Sequence, residues 1–185
     1  MIILMKKVKM KYLKNEILSL LIVFIIMTLF SLSHSEAHSG KWFFTEGESN
    51  PDTVAQISQK SNTSIINESA SGEVFPNLTF YCTKKNPNLL LQINWKRFIS
   101  SFRKTEVGLQ VDNEKMTWIK FNVDKTGKTT RQDSVSQSQL LINRLLGQTA
   151  LKVEVEPYSE PVVSVEFNLQ EFGVYIEKLK DSCSI

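Results

Sequence analysis

The chain has 185 residues, 42% of them hydrophobic and 22% charged, which is ordinary usage for a folded protein and excludes disorder along its whole length. Its 22 basic and 19 acidic side chains give a formal charge of +3. Residues 1–37 hold five lysines and two glutamates, and the other 148 residues balance 17 basic against 17 acidic, which excludes a strongly cationic working domain.

The first predicted element is a leader. Lys6, Lys7, Lys9, Lys11 and Lys14 precede a largely apolar run of 14 residues, Ile17 to Phe30. Ser35-Glu36-Ala37 then places small residues three before and one before a cut between Ala37 and His38. This is the pattern of a secretory signal peptide. The run is short of the about 20 residues that span a bilayer. An uncleaved N-terminal anchor is the alternative, and Met5 or Met10 as the start would shorten the basic part. Either way residues 38–185 are expected to be one exported domain, periplasmic if the leader is cleaved and anchored facing the periplasm if it is not.

Strand patterns dominate that domain. Trp42, Phe43 and Phe44 begin a first strand, and residues 53–58 form a second. Residues 59–76 are polar and Ser/Asn-rich and read as a long exposed loop or ragged hairpin. Leu78, Phe80 and Cys82 then share one strand face, and Leu89, Leu91, Ile93 and Trp95 share another, opposite Gln92 and Asn94. Val107, Leu109 and Val111 precede a turn at Asp112-Asn113-Glu114-Lys115. Ile119, Phe121 and Val123 alternate with Lys120 and Asn122 before a turn at Asp124-Lys125-Thr126-Gly127. A helix is predicted over 137–146, with Ser136 as N-cap and Gly147 as its stop. Leu151, Val153 and Val155 alternate with Lys152, Glu154 and Glu156, and a Pro157–Pro161 turn leads to Val163, Val165 and Phe167. The last helix is predicted over 169–181, capped by Asn168 and Glu171, with Phe172, Ile176, Leu179 and Cys183 in one stripe. Period-2 alternation marks strands with one face on a core. The fold class is therefore mainly β, an antiparallel β-sandwich or barrel-like domain with two accessory helices. Its core is predicted to include Leu78, Phe80, Leu91, Ile93, Val107, Leu109, Val111, Ile119, Phe121 and Val123. Leu141, Leu145, Val153, Val155, Val165, Phe167, Phe172, Ile176 and Leu179 complete that core.

Candidate chemistry is sparse. Cys82 and Cys183 are the two cysteines, and in an oxidising compartment they favour one disulfide over two free thiols. Both project from core-facing positions, which supports the pairing. The histidines are His34 and His38, so a cleaved chain keeps one, at its start. Histidine-dependent triads and zinc sites are excluded, and no cofactor or metal site is expected. Glu154, Glu156 and Glu166 could supply paired carboxylates, but they are the polar half of regular strands and read as a solvated face. Lys84-Lys85 and Lys96-Arg97…Arg103-Lys104 lie near Trp95, Phe98 and Phe102, a combination that can bind nucleic acid. Charge balance and export argue against that partner. Trp118 projects opposite Ile119, Phe121 and Val123; it closes a second core layer or belongs to a binding patch, and the core is favoured. Three sequons, at Asn62, Asn67 and Asn77, are of the sort Ser/Asn-rich stretches produce by chance.

The order of landmarks is more specific than any one motif. Trp42 comes first, then Pro76-Asn77-Leu78…Tyr81-Cys82 and Leu91-Gln92-Ile93-Asn94-Trp95. Val107-Gly108-Leu109-Gln110-Val111-Asp112 and Trp118 follow, then the leucine-rich helix and Leu151 through Pro157-Tyr158. Val165-Glu166-Phe167-Asn168-Leu169 and Cys183 complete the series. Over residues 42–183 this resembles the TagO/VasI family of type VI secretion-associated proteins. That family is similar in its signal peptide, L-x-I-x-W strand, V-x-P-Y turn and final helix ending in Cys. The chain departs from it at Gln110, where the family pattern has Arg, and lacks the Cys-rich N-terminal portion of longer members. The resemblance brings no catalytic motif. It implies a non-enzymatic periplasmic accessory protein of a Gram-negative contractile secretion apparatus, acting on unidentified protein partners at the cell envelope. With the charge balance, no nucleic-acid partner is expected, and a membrane is met only through an uncleaved leader. A periplasmic inhibitor or immunity-type protein acting on a wall hydrolase or toxin is the alternative, since small disulfide-locked β domains suit that role too.

Overall fold

Alternating apolar residues generate most of the strands in the computed structural model, which describes residues 40–47, 52–67 and 72–185. The expected leader and the cut between Ala37 and His38 lie outside the described residues. The strands are β1 (Phe43–Glu46), β2 (Thr53–Lys60), β3 (Ile65–Asn67), β4 (Gly72–Val74), β5 (Asn77–Thr83) and β6 (Asn86–Asn94). β7 (Lys104–Val111), β8 (Thr117–Val123) and β9 (Thr129–Gln132) follow, then helix α1 (Val135–Leu145), β10 (Ala150–Val155), β11 (Val163–Asn168) and helix α2 (Phe172–Cys183).

Nine strands form one antiparallel sheet in the order β1-β2-β5-β6-β9-β8-β7-β10-β11, and β3 pairs with β4 as a separate hairpin. The sheet curls on itself. β8 and β9 share two residue pairs, Asn122 with Arg131 and Val123 with Thr130, where the two halves join. At the far edge β11 meets the segment leaving β2. The Asn62 amide donates to the Glu166 carbonyl at 2.7 Å, the Glu166 amide to Thr63 Oγ1 at 3.1 Å, and Gln59 Nε2 to the Asn168 carbonyl at 2.8 Å. The result is sandwich-like, with the inward residues of both halves in one core.

Burial follows the predicted faces in β5, β7, β10 and β11, where Leu78, Phe80, Val107, Leu109, Val111, Val153, Val155, Val165 and Phe167 are buried. Ile119 and Val123 were expected there as well but are only half-buried, because β8 lies at the join between the halves. The α2 stripe packs Phe172 against Trp42 at 5.2 Å and Phe80 at 5.1 Å between ring centroids. Such tilted ring pairs add about 0.5–1.5 kcal/mol beyond their buried area. At the last residue of the helix, Cys183 reaches Cys82 on β5 and the two form the expected disulfide across 101 positions.

Several boundaries differ from the sequence reading. The N-cap of α1 is Ser134, whose hydroxyl accepts from the Gln137 amide, two residues before the expected Ser136. Gly147 does end the helix, with φ of +75°. Asn168 does not cap α2; its side chain closes the preceding turn by accepting from the Gln170 amide, and the left-handed Glu171 starts the helix without a side-chain cap. Of the two readings of 59–76, the ragged hairpin agrees with the pairing of β3 with β4, and Gln59, Ser61, Ile65 and Asn67 are buried rather than exposed.

Candidate functional site: an aromatic groove on the outer sheet face

A depression of about 520 Å³ lies over β7, β8 and the end of β10. Trp118, Phe102 and Tyr158 supply its rings, and Lys104, Glu106 and Glu156 its charges. It is an open groove rather than an enclosed cavity.

Trp118 sits in it because of register. Odd-numbered residues of β8 pair inward with odd-numbered residues of β7, which leaves Trp118 outside, directly opposite Gly108. The expected second core layer is absent there: Trp118 is 44% exposed. Its indole lies across the glycine. A Cβ on Gly108 would come within 3.1 Å and 3.2 Å of Trp118 Cζ2 and Cε2, and within 2.9 Å of Met116 Sδ. Only a residue without a side chain lets the ring lie this close to the sheet. Glu154 of β10 flanks Gly108 on its other side and is tied to Lys152 by an ion pair at 2.7 Å.

The far wall is built by two loops. Phe102 belongs to residues 95–103 between β6 and β7, and Tyr158 to the turn between β10 and β11. Their rings meet edge-to-face at 6.3 Å. The first loop is anchored from below by buried Trp95, whose Nε1 donates to Thr130 Oγ1 at 3.0 Å, and by buried Ile99, whose amide donates to the Gly127 carbonyl at 2.7 Å. Gly127, at φ of +70°, has no room for a side chain beneath Phe98 and the Ser100 carbonyl. The second loop is held to the first by the Tyr158 amide donating to the Ile99 carbonyl. Arg97 completes the clamp: it is buried, pairs with Glu160, and donates from Nη1 to the Ile66 carbonyl at 2.8 Å. Arg97 is the buried partner and Glu160 the half-buried one, so removing Glu160 would leave the guanidinium charge short of both its counter-ion and water.

The candidate residues are therefore redistributed. Trp95 and Arg97 leave the basic-aromatic cluster for the interior, while Phe98 and Phe102 stay exposed. Lys84 and Lys85 lie elsewhere, the latter 3.9 Å from Asp52. Of the three strand glutamates, Glu156 reaches the groove, Glu154 pairs with Lys152, and Glu166 sits on β11. Glu106 and Tyr158 also line the groove; Tyr158 entered the sequence reading only as part of the V-x-P-Y turn, and Glu106 carried no signal there.

A second, polar depression of about 410 Å³ lies on the outer face of the other half-sheet, beside Tyr81, Gln92 and Arg131. Burial pushes the Tyr81 hydroxyl above its ordinary range, against the pull of Arg131. Among the described residues no group of three His, Cys, Asp or Glu is placed to hold a metal ion, and no helix is long and apolar enough to cross a membrane.

No model of a known protein family matches the chain, and no curated protein matches it. Among solved structures the chain is similar to invasion associated protein B from Bartonella henselae, with a TM-score of 0.50. Identity is 14%, over 76% of this chain and 92% of that one, so the likeness is one of fold alone.

Proposed function

We infer that this chain is an exported, non-enzymatic binding protein that works as a periplasmic accessory of a type VI secretion system through the Trp118 groove. The observation that carries the reading is a convergence. Gly108, Trp118 and Pro157-Tyr158 belong to three separate landmarks of the TagO/VasI resemblance, and all three meet at this one exposed surface. The Cys82–Cys183 bond is in keeping with an oxidising compartment. The groove is lined by rings and mixed charges on anchored loops, a surface suited to recognition.

Deleting the gene and assaying effector secretion and tube-protein release tests this. Both are expected to fall, and to be restored by the wild-type gene but not by Trp118→Ala. Normal secretion in the deletion strain rejects the assignment. Inhibition of a purified wall hydrolase or toxin by the domain would move the reading to an inhibitor or immunity-type protein.

A further inference from the structure

We propose that the occupant of the Trp118 groove is a glycan: a chain of β-linked, equatorially substituted pyranoses such as the amino-sugar backbone of a cell wall. This rests on the reading of the groove as the working surface and names its ligand class.

The argument is chemical. Such a pyranose has two faces of axial C–H groups and a rim of hydroxyl or amide groups. The C–H faces are apolar and slightly positive, and the face of an aromatic ring is negative, so stacking is favourable. The groove offers three rings at its surface, with Trp118, Phe102 and Tyr158 exposed by 44%, 62% and 70%. Between them lie Glu106, Glu156 and Lys104, which can accept from and donate to hydroxyls at the rim. Ring walls with polar groups between them are complementary to a molecule with apolar faces and a polar edge.

Other occupants fit less well. A nucleic acid or another polyanion would bring phosphates against two carboxylates offset by one lysine. An apolar peptide anchor would desolvate those same three charges without pairing them. Sugar hydroxyls keep them hydrogen-bonded. The open form of the groove also admits a polymer that enters and leaves along the sheet.

The rings are held ready. Trp118 rests on Gly108, and Tyr158 and Phe102 stand on loops locked by the Arg97–Glu160 pair and the Tyr158–Ile99 hydrogen bond. Little order has to be created on binding, which lowers its cost.

The chain's three tryptophans make the test direct. Trp42 and Trp95 are 3% and 0% exposed, so iodide quenching of the fluorescence reports on Trp118. The probes are chitotetraose in solution and purified peptidoglycan sacculi for co-sedimentation. Chitotetraose is expected to protect the fluorescence from iodide, and sacculi to retain the protein. Trp118→Ala is expected to weaken retention roughly tenfold, the loss of about one aromatic contact. Tyr158→Ala, on an exposed turn, should weaken it without touching the core. Gly108→Ala should weaken it too, with unchanged far-ultraviolet circular dichroism, because its methyl lifts the indole. No protection by chitotetraose together with no retention on sacculi overturns the proposal. So does retention that Trp118→Ala and Tyr158→Ala leave intact. If glycan binding fails while Trp118→Ala still abolishes secretion, the groove binds a protein and the function proposed above stands. If glycan binding holds while secretion is normal in the deletion strain, the glycan site stands and that function falls.

Discussion

Breaking the Cys82–Cys183 bond is the perturbation whose magnitude the structure sets most directly. The bond closes a loop of 101 positions, from the middle of the sheet to the last turn of the final helix. For a loop of about 100 residues the loss of chain entropy in the unfolded state corresponds to about 4.7 kcal/mol. Both cysteines are buried and the helix packs Phe172 on Trp42 and Phe80 without help from the bond, so the reduced protein is expected to keep its fold. For a domain of this size each kcal/mol moves Tm by about 2–4 °C, so reduction should lower Tm by roughly 10–20 °C. Urea unfolding of the oxidised protein, the reduced protein and the double variant C82A/C183A is the assay. Comparing the reduced protein with the double variant separates the covalent link from the packing of two sulfurs. The slope of the unfolding free energy with urea should rise on reduction, because an unlinked denatured chain exposes more surface. Equal midpoints for oxidised and reduced protein would refute the reasoning. So would labelling of two thiols in the native, unreduced protein.

Three further outcomes follow from particular contacts. Thr130→Val keeps the branched shape but leaves Trp95 Nε1 buried with no acceptor, which should cost about 1–3 kcal/mol by urea unfolding; an unchanged midpoint would mean the hydrogen bond contributes nothing. Phe172→Ala removes the centre of the Trp42–Phe80–Phe172 cluster and should cost about 3–5 kcal/mol, with faster amide exchange along α2; a smaller loss without faster exchange would place the helix's anchor elsewhere. Asp112 and Asp124 should steepen the acid limb of stability. The Thr149 hydroxyl and the Ala150 amide hold Asp112 below the ordinary carboxylate range. At Asp124 desolvation pushes upward but is outweighed by the Thr126 hydroxyl and the Thr129 and Lys128 amides. Both folded values are depressed, so their contribution is complete above the ordinary value of about 4 and is lost as pH falls through the folded values. D112N/D124N should therefore flatten stability against pH below about 4; an unchanged slope counts against both assignments.

What could be read from sequence, and what could not, divides along one physical line. Strands with an apolar inner face were legible: Val107, Leu109 and Val111 are buried as their alternation requires, and so are Leu151, Val153 and Val155. β9 was not, because its inward positions are Thr130 and Gln132. They are accommodated by hydrogen bonds instead of apolar contact, Thr130 with the Trp95 indole and Gln132 Nε2 with the Lys120 carbonyl. Polar residues with private partners break the periodic signal without breaking the strand. The start of α1 was ambiguous for a similar reason. Ser134 and Ser136 are both capping residues, their hydroxyls lie 3.1 Å apart, and local composition does not say which one the helix uses.

Trp118 is the instructive case, because register held the answer. Alternation shows which way a strand residue points, and says nothing of whether a second layer covers that side. A symmetric turn over Asp112–Lys115 would set Gly108 opposite Ile119, an outward residue against an inward one. That is incompatible with Val107, Leu109, Ile119 and Phe121 facing the same core. The parity of the two patterns demands a loop with an odd number of residues. The structure obtains it with Asp112 at φ of +47°, which shifts the pairing by one and sets Gly108 opposite Trp118. A large ring facing a glycine across two strands has somewhere to lie without a second layer. The outward indole, and with it the floor of the groove, is thus a consequence of two alternating patterns that must agree in phase.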